Sequence, residues 1–295
     1  MPRPTVAYLL SWAEHPALHA EDTGLARLPD NVNVIILAFV RPDAVYSGSE
    51  NLSSTGFSFP YPRALLAQAI AERKARLPGT RVLIAVGGAT YGAWRALDHQ
   101  AIARLVADLG ADGVDIDMEL DNPACGPDGG AHVSCSGGRL WRLAIERFRA
   151  ALPPAATISI AGWSVAAYGE GAWAEAKPRS PHTGELLGLF RHEAGKKIDL
   201  INVMAYNATA DYDAAEAYRA YRAAWPGPLA VGILVPPDNG RQPDISLEGV
   251  RSLCRVLAAD PQAGLMIYGF GIEPPPGKPS AADIAQEAAG CLHAP

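Results

Sequence analysis

"LGADGVDIDMELDN", residues 109 to 122, places Asp112, Asp115, Asp117, Glu119 and Asp121 within ten positions of a run that otherwise alternates with Val114, Ile116, Met118 and Leu120. In an extended strand, residues two apart share a face, so Gly113, Asp115, Asp117 and Glu119 point one way while Val114, Ile116 and Met118 point the other. The apolar set suits burial beneath helices. The acidic set requires an interior that can use it.

The rest of the chain supplies that interior. Short apolar runs recur at 5–10 (TVAYLL), 33–40 (NVIILAFV), 81–88 (RVLIAVGG), 113–119, 157–162 (TISIAG), 200–206 (LINVMAY), 229–235 (LAVGILV) and 264–270 (GLMIYGF). Most are continuous rather than alternating, as expected of parallel strands buried on both faces. Amphipathic helical stretches lie between them, among them 61–77, 98–110, 138–152, 214–225 and 246–260, punctuated by Pro62, Gly110 and Ser246. Eight strand-helix units fit a (β/α)8 TIM barrel of roughly 250 residues plus loop insertions, read here as a single domain over 1–295. An open doubly wound sheet would want a phosphate-binding glycine loop after the first strand. "SWAEHP" follows instead, and "VGGATYG" lacks both the spacing and a lysine. Gly87 and Gly88 read as a tight strand exit that also permits close approach of a ligand.

Barrel enzymes place their sites at the carboxyl ends of the strands. The acidic face therefore rises toward the mouth, with Glu119 last. Successive same-face residues are about 6–7 Å apart along the strand, so like charges so placed cannot all ionise cheaply and at least one carboxyl holds its proton to higher pH. A carboxyl protonated near neutrality is a general acid. Carboxylate oxygens also suit Mg²⁺ or Ca²⁺; from the carboxylates alone, acid catalysis and metal binding weigh about evenly.

A net charge of −6 without any Lys/Arg block argues against nucleic acid or an anionic membrane as the main partner. No apolar run reaches the roughly 20 residues needed to span a bilayer. "MPRPTVAYLLSW" does not read as an intact signal peptide; the expectation is a secreted protein whose leader is absent from this chain, with a cytoplasmic one as the alternative. Of four cysteines, Cys125 and Cys135 share a Gly-rich loop and either staple it or stay free, whereas Cys254 and Cys291, on apolar helical faces, read as buried thiols. The seven histidines are scattered along the chain, so zinc is not expected, and no metal ligand or cofactor is assigned.

"DGVDIDME", residues 112–119, resembles the D-G-x-D-x-D-x-E signature of glycoside hydrolase family 18, the chitinases and endo-β-N-acetylglucosaminidases. "INVMAYN" on the sixth inferred strand resembles the family's M-x-Y-[DN] motif through Met204, Tyr206 and Asn207. "AVGG" on the third resembles S-x-G-G with Ala85 in place of serine, and on the eighth Tyr268 stands where the family usually has a tryptophan floor.

The resemblance implies a retaining mechanism in which the substrate's own 2-acetamido oxygen attacks the anomeric carbon, an exception to the two-carboxylate scheme. Glu119 is then the acid and base. Asp117 holds the acetamido N–H and stabilises the oxazolinium, Asp115 backs Asp117, and Asp112 ties the strand start. Tyr206 holds the acetamido carbonyl with Asn207 beside it, and Met204 packs the sugar subsite. Tyr8, Trp12, Phe39, Trp94, Trp163 and Tyr268 lie near inferred strand ends and can stack on sugars, with Tyr268, Trp163 and Phe39 best placed.

The implied partner is a polysaccharide or oligosaccharide containing N-acetylglucosamine, cleaved by a monomer. Rival readings are a catalytically weak or inactive chitinase-like sugar-binding protein, an endo-β-N-acetylglucosaminidase acting on N-glycans, a two-carboxylate barrel enzyme using Asp238, and a metal-dependent enzyme. Deep-groove members of the family carry an α+β insertion between the seventh and eighth strands. Only about 29 residues, 236–264, separate them here, which points to an open cleft, and so to endo cleavage or a bulky, branched substrate.

Overall fold

The computed structural model describes residues 2–235 and 246–292; Asp238 lies outside the described residues. Eight parallel strands close into a (β/α)8 barrel. They are β1 (Thr5–Leu10), β2 (Val34–Val40), β3 (Arg81–Gly87), β4 (Gly113–Asp117), β7 (Thr157–Trp163), β8 (Leu200–Met204), β9 (Leu229–Leu234) and β10 (Ala263–Phe270), with β10 returning to pair β1. The intervening β5 (Cys125–Pro127) and β6 (Val133–Cys135) form a separate antiparallel hairpin in the loop after β4, which the sequence pattern did not reveal.

The helices are α1 (Gly24–Arg27), α2 (Arg63–Arg76), α3 (His99–Leu109), α4 (Gly138–Ala151), α5 (Leu187–Arg191), α6 (Ala214–Ala224), α7 (Leu247–Leu257) and α8 (Ala281–Leu292). Their ends carry the expected punctuation. Asp98 and Ser246 accept from the Ala101 and Gly249 amides, and Gly110 closes α3 in the left-handed region.

Alternation on the strands divides the apolar residues into two layers. Val114, Ile116 and Met118 join the layer between strands and helices, while Tyr8, Ala85, Leu200, Met204 and Met266 fill the barrel interior. The β4 face carrying Asp115 and Asp117 turns inward as the period of two requires, and both are buried, at 0% and 4% exposure. The strand ends at Asp117, two residues short of the expected 119, so Glu119 stands beyond it at the mouth. Asp112 ties the strand start: its carboxylate accepts from Lys74 Nζ at 2.6 Å and from the Val82 amide at 2.8 Å.

Both cysteine pairs are disulfides. Cys125–Cys135 staples the β5–β6 hairpin. Cys254–Cys291 corrects the expectation of two buried thiols: α7 and α8 pack side by side, so the two apolar helical faces meet each other, with the Cα atoms 5.9 Å apart. Among the described residues the connection from β9 to β10 carries α7 alone and no α+β insertion.

Candidate active site

Asp115 forms the floor. Its carboxylate accepts from the Tyr8 hydroxyl at 2.7 Å, the Ser159 hydroxyl and the Asn202 amide at 3.1 Å, donors on β1, β7 and β8. Parallel register explains the convergence: Asp115 lies level with Ala85 on one side and Ser159 on the other, and Ser159 with Leu200 beyond. Ala85, buried in the same interior layer, sets only a methyl beside the carboxylate. Burial pushes Asp115 up, and the three donors pull it back toward the charged form.

Asp117 sits one layer higher. Its Oδ1 is buried with no hydrogen-bond partner among the described residues. Burial pushes this carboxyl well above the usual range, and the neighbouring Glu119 and Asp115 push in the same direction. Glu119, partly exposed, is also raised by burial, against a downward pull from His182. Asp117 and Glu119 titrate as a pair in which a proton is retained above the ordinary carboxylate range.

Tyr206, buried at 9%, follows the end of β8, and burial with Asp117 nearby holds its hydroxyl protonated, a donor. Gly232 on β9 clears its space, since a Cβ there would stand 2.9 Å from Tyr206 Cε1. Asn207 takes a left-handed conformation, φ 54°, which asparagine tolerates better than most residues, and its Oδ1 is buried without a partner among the described residues.

The glycines of β3 are required by contact. Gly87 has φ 108°, and a Cβ there would meet Asp117 O at 2.1 Å; Gly88 donates its amide to that same oxygen at 2.8 Å while the Phe39 ring covers its other side. The backbone beneath Asp117 is thereby held from β3.

The sequence-predicted aromatics divide by role. Tyr206 and Tyr268 approach with ring centroids 5.7 Å apart, and Trp12 stacks on Phe39 at 6.0 Å. Trp12, Phe39, Ser58, Tyr91 and Tyr268 line a cleft of about 250 Å³, with Trp12 52% exposed. Such a surface suits a sugar face. Tyr8 is 1% exposed and committed to Asp115, so it supports the carboxylates from below. Trp94 lies in the layer outside the barrel, its edge against Gly87. Met204 is buried level with Trp163.

Ser159, Asn202, His182 and Glu185 were not singled out from the sequence. Ser159 and Asn202 carry a legible signal, as polar residues at inward positions of apolar strands. His182 and Glu185 lie in an aperiodic loop. Among the described residues no cluster of three or more His, Cys, Asp or Glu is arranged to hold a metal ion.

Two classes of known protein share this architecture. A family 18 chitinase from Pseudoalteromonas aurantia superposes with TM-score 0.69 at 22% identity, covering 98% of this chain and 100% of that one. A family 18 chitinase from Chromobacterium violaceum gives 0.66 at 15%, covering 99% and 84%. A fungal endo-β-N-acetylglucosaminidase of family 18 gives 0.64 at 18%, covering 99% and 98%. At these identities the likeness is one of fold: the chain has the barrel of the family 18 chitinases along nearly its whole length. No family model and no curated protein matches the sequence.

Proposed function

We propose that this chain is a retaining family 18 glycoside hydrolase that cleaves β-1,4 linkages at N-acetylglucosamine in chitin and chitooligosaccharides. The observation that carries the reading is the buried Asp117 Oδ1, without a hydrogen-bond partner among the described residues, on a carboxyl that Glu119 pushes up and that in turn pushes up the Tyr206 hydroxyl. A buried acceptor without a donor is costly, and an acetamido N–H would satisfy it.

In this reading the acetamido oxygen attacks the anomeric carbon as the glycosidic C–O bond breaks, and the proton of Glu119 passes to the departing oxygen. Asp117 holds the N–H and balances the oxazolinium charge, while Tyr206 donates to the acetamido oxygen and keeps it in line. Water then attacks the anomeric carbon, its proton returns to Glu119, and the ring opens with retention. Asp115, fully hydrogen-bonded, holds Asp117 from below. Trp12, Phe39 and Tyr268 offer faces for sugars, and a β9–β10 connection without an α+β insertion among the described residues supports endo cleavage or a bulky, branched substrate. The two disulfides support export to an oxidising compartment.

The second reading is an endo-β-N-acetylglucosaminidase acting on N-glycans; a fungal endo-β-N-acetylglucosaminidase of the same fold supports keeping it. The test incubates wild type and Glu119→Gln with chitooligosaccharides and with an N-glycan. A fall in turnover of about 10²–10⁴-fold in the variant is expected; equal turnover in both, or none from wild type on either substrate, overturns the reading. Tight calorimetric binding without turnover would mark a sugar-binding protein instead.

A further inference from the structure

The loop from β7 to α5 returns across its own start, where the Gly184 and Leu186 amides donate to the Val165 and Ala166 carbonyls at 3.2 and 3.1 Å. This lays His182 flat on Trp163, with ring centroids 4.3 Å apart and an interplanar angle of 18°. His182 Nδ1 lies 2.8 Å from Glu185 Oε2, and the other Glu185 oxygen accepts from Trp141 Nε1 at 3.0 Å. His182 and Glu185 are only 7% and 2% exposed. An acceptor at Nδ1 keeps a proton on that nitrogen and fixes the ring plane. Strand order places this assembly beside the acid: β4 and β7 are neighbours, with Ile116 level with Ile160, Trp163 is the last residue of β7, and Glu119 follows the end of β4 by two residues.

We propose that His182 is a positioning residue for the acid/base: clamped by Glu185 and stacked on Trp163, it sets the charge that the Glu119 carboxyl meets at the barrel mouth. The inference rests on the reading of Glu119 as acid and base. The groups that interact with Glu119 from neighbouring positions are Asp117 on β4, Tyr206 after β8 and Tyr268 on β10. All of these are acids, and Asp117, Tyr206 and Tyr268 couple to Glu119 unfavourably. His182 opposes them, favouring ionised Glu119. The nearby His132, Glu170 and Arg191 are satisfied among themselves, with Glu170 3.2 Å from His132 and 2.7 Å from Arg191. Glu185 divides its two oxygens between His182 and Trp141, which leaves His182 with a carboxylate fixed on Nδ1.

The experiment measures kcat/KM against pH for wild type, His182→Asn, which keeps a donor toward Glu185 and drops the charge, and Glu185→Gln, which keeps the acceptor for Trp141. Without the cation Glu119 holds its proton longer, so the basic limb should move up by about one pH unit in His182→Asn, at the low end of what a neighbouring charge produces, and in the same direction in Glu185→Gln. A uniform loss at every pH with the limb unmoved would mean packing alone and overturns the proposal.

A second arm needs neither turnover nor a His182 variant: carbon NMR of the Glu119 carboxyl across pH, in wild type and Glu185→Gln, where the weakened clamp on His182 should let Glu119 hold its proton to higher pH. Identical titrations overturn the coupling. A protein inactive on every substrate but with shifted titrations would instead put the hydrolase reading at fault.

Discussion

Replacing Asp115 by alanine removes the acceptor of three buried donors at once, the hydroxyls of Tyr8 and Ser159 and the amide of Asn202. A buried polar group left unpaired costs about 1–3 kcal/mol, so Asp115→Ala should lose on the order of 3–6 kcal/mol even if a water enters the space. Asparagine behaves differently. Its carbonyl oxygen still accepts from Asn202, and its amide can donate to the Tyr8 oxygen, because a hydroxyl both donates and accepts. One hydroxyl proton is stranded, offset by no longer burying a carboxylate whose charged form burial disfavours. Asp115→Asn should therefore stay within about 1 kcal/mol of wild type. Urea unfolding followed by tryptophan fluorescence at neutral pH, with the denaturant slope checked for constancy, separates the two. Equal losses in alanine and asparagine would refute the hydrogen-bond account, and a small loss in alanine would show that the three donors find other partners.

The remaining expectations concern pH, backbone and the staple. Asp115, Asp117 and Glu119 are all raised in the folded state, so folding takes up protons at these sites. Their contribution to stability is full below the ordinary carboxylate range and is lost as pH rises through the raised values; Asp117→Asn should flatten that decline in urea midpoints measured across pH, and an unchanged slope would contradict it. Gly87→Ala should cost about 2–5 kcal/mol from strain and overlap, because the new Cβ would lie 2.1 Å from Asp117 O at φ 108°; a melting temperature equal to wild type would rule this out. Cys135→Ser should release about 2–3 kcal/mol of loop restraint, read as faster amide exchange confined to the β5–β6 hairpin, whereas faster exchange in β4 would mean the staple supports the barrel itself.

What was legible early was what a local pattern can carry. A strand buried on both faces writes a continuous apolar run, so all eight barrel strands could be found with ends near those observed. Period two alone separates Asp115 and Asp117 from Val114 and Ile116. The β5–β6 hairpin escaped because three-residue strands amid glycine and proline have no period to detect.

The composition of the site beyond its acids depended on chain path. Asp115 gathers its donors from residues 107, 44 and 87 positions away, a meeting set by strand register around a closed barrel. Cys254 meets Cys291 because two helices pack side by side. His182 reaches Trp163 because backbone hydrogen bonds turn its loop back on itself. Local hydrophobic rhythm reports which residues are buried and on which face; it carries no record of which distant partner shares that burial, and that is where the electrostatics of Glu119 and Asp117 arise.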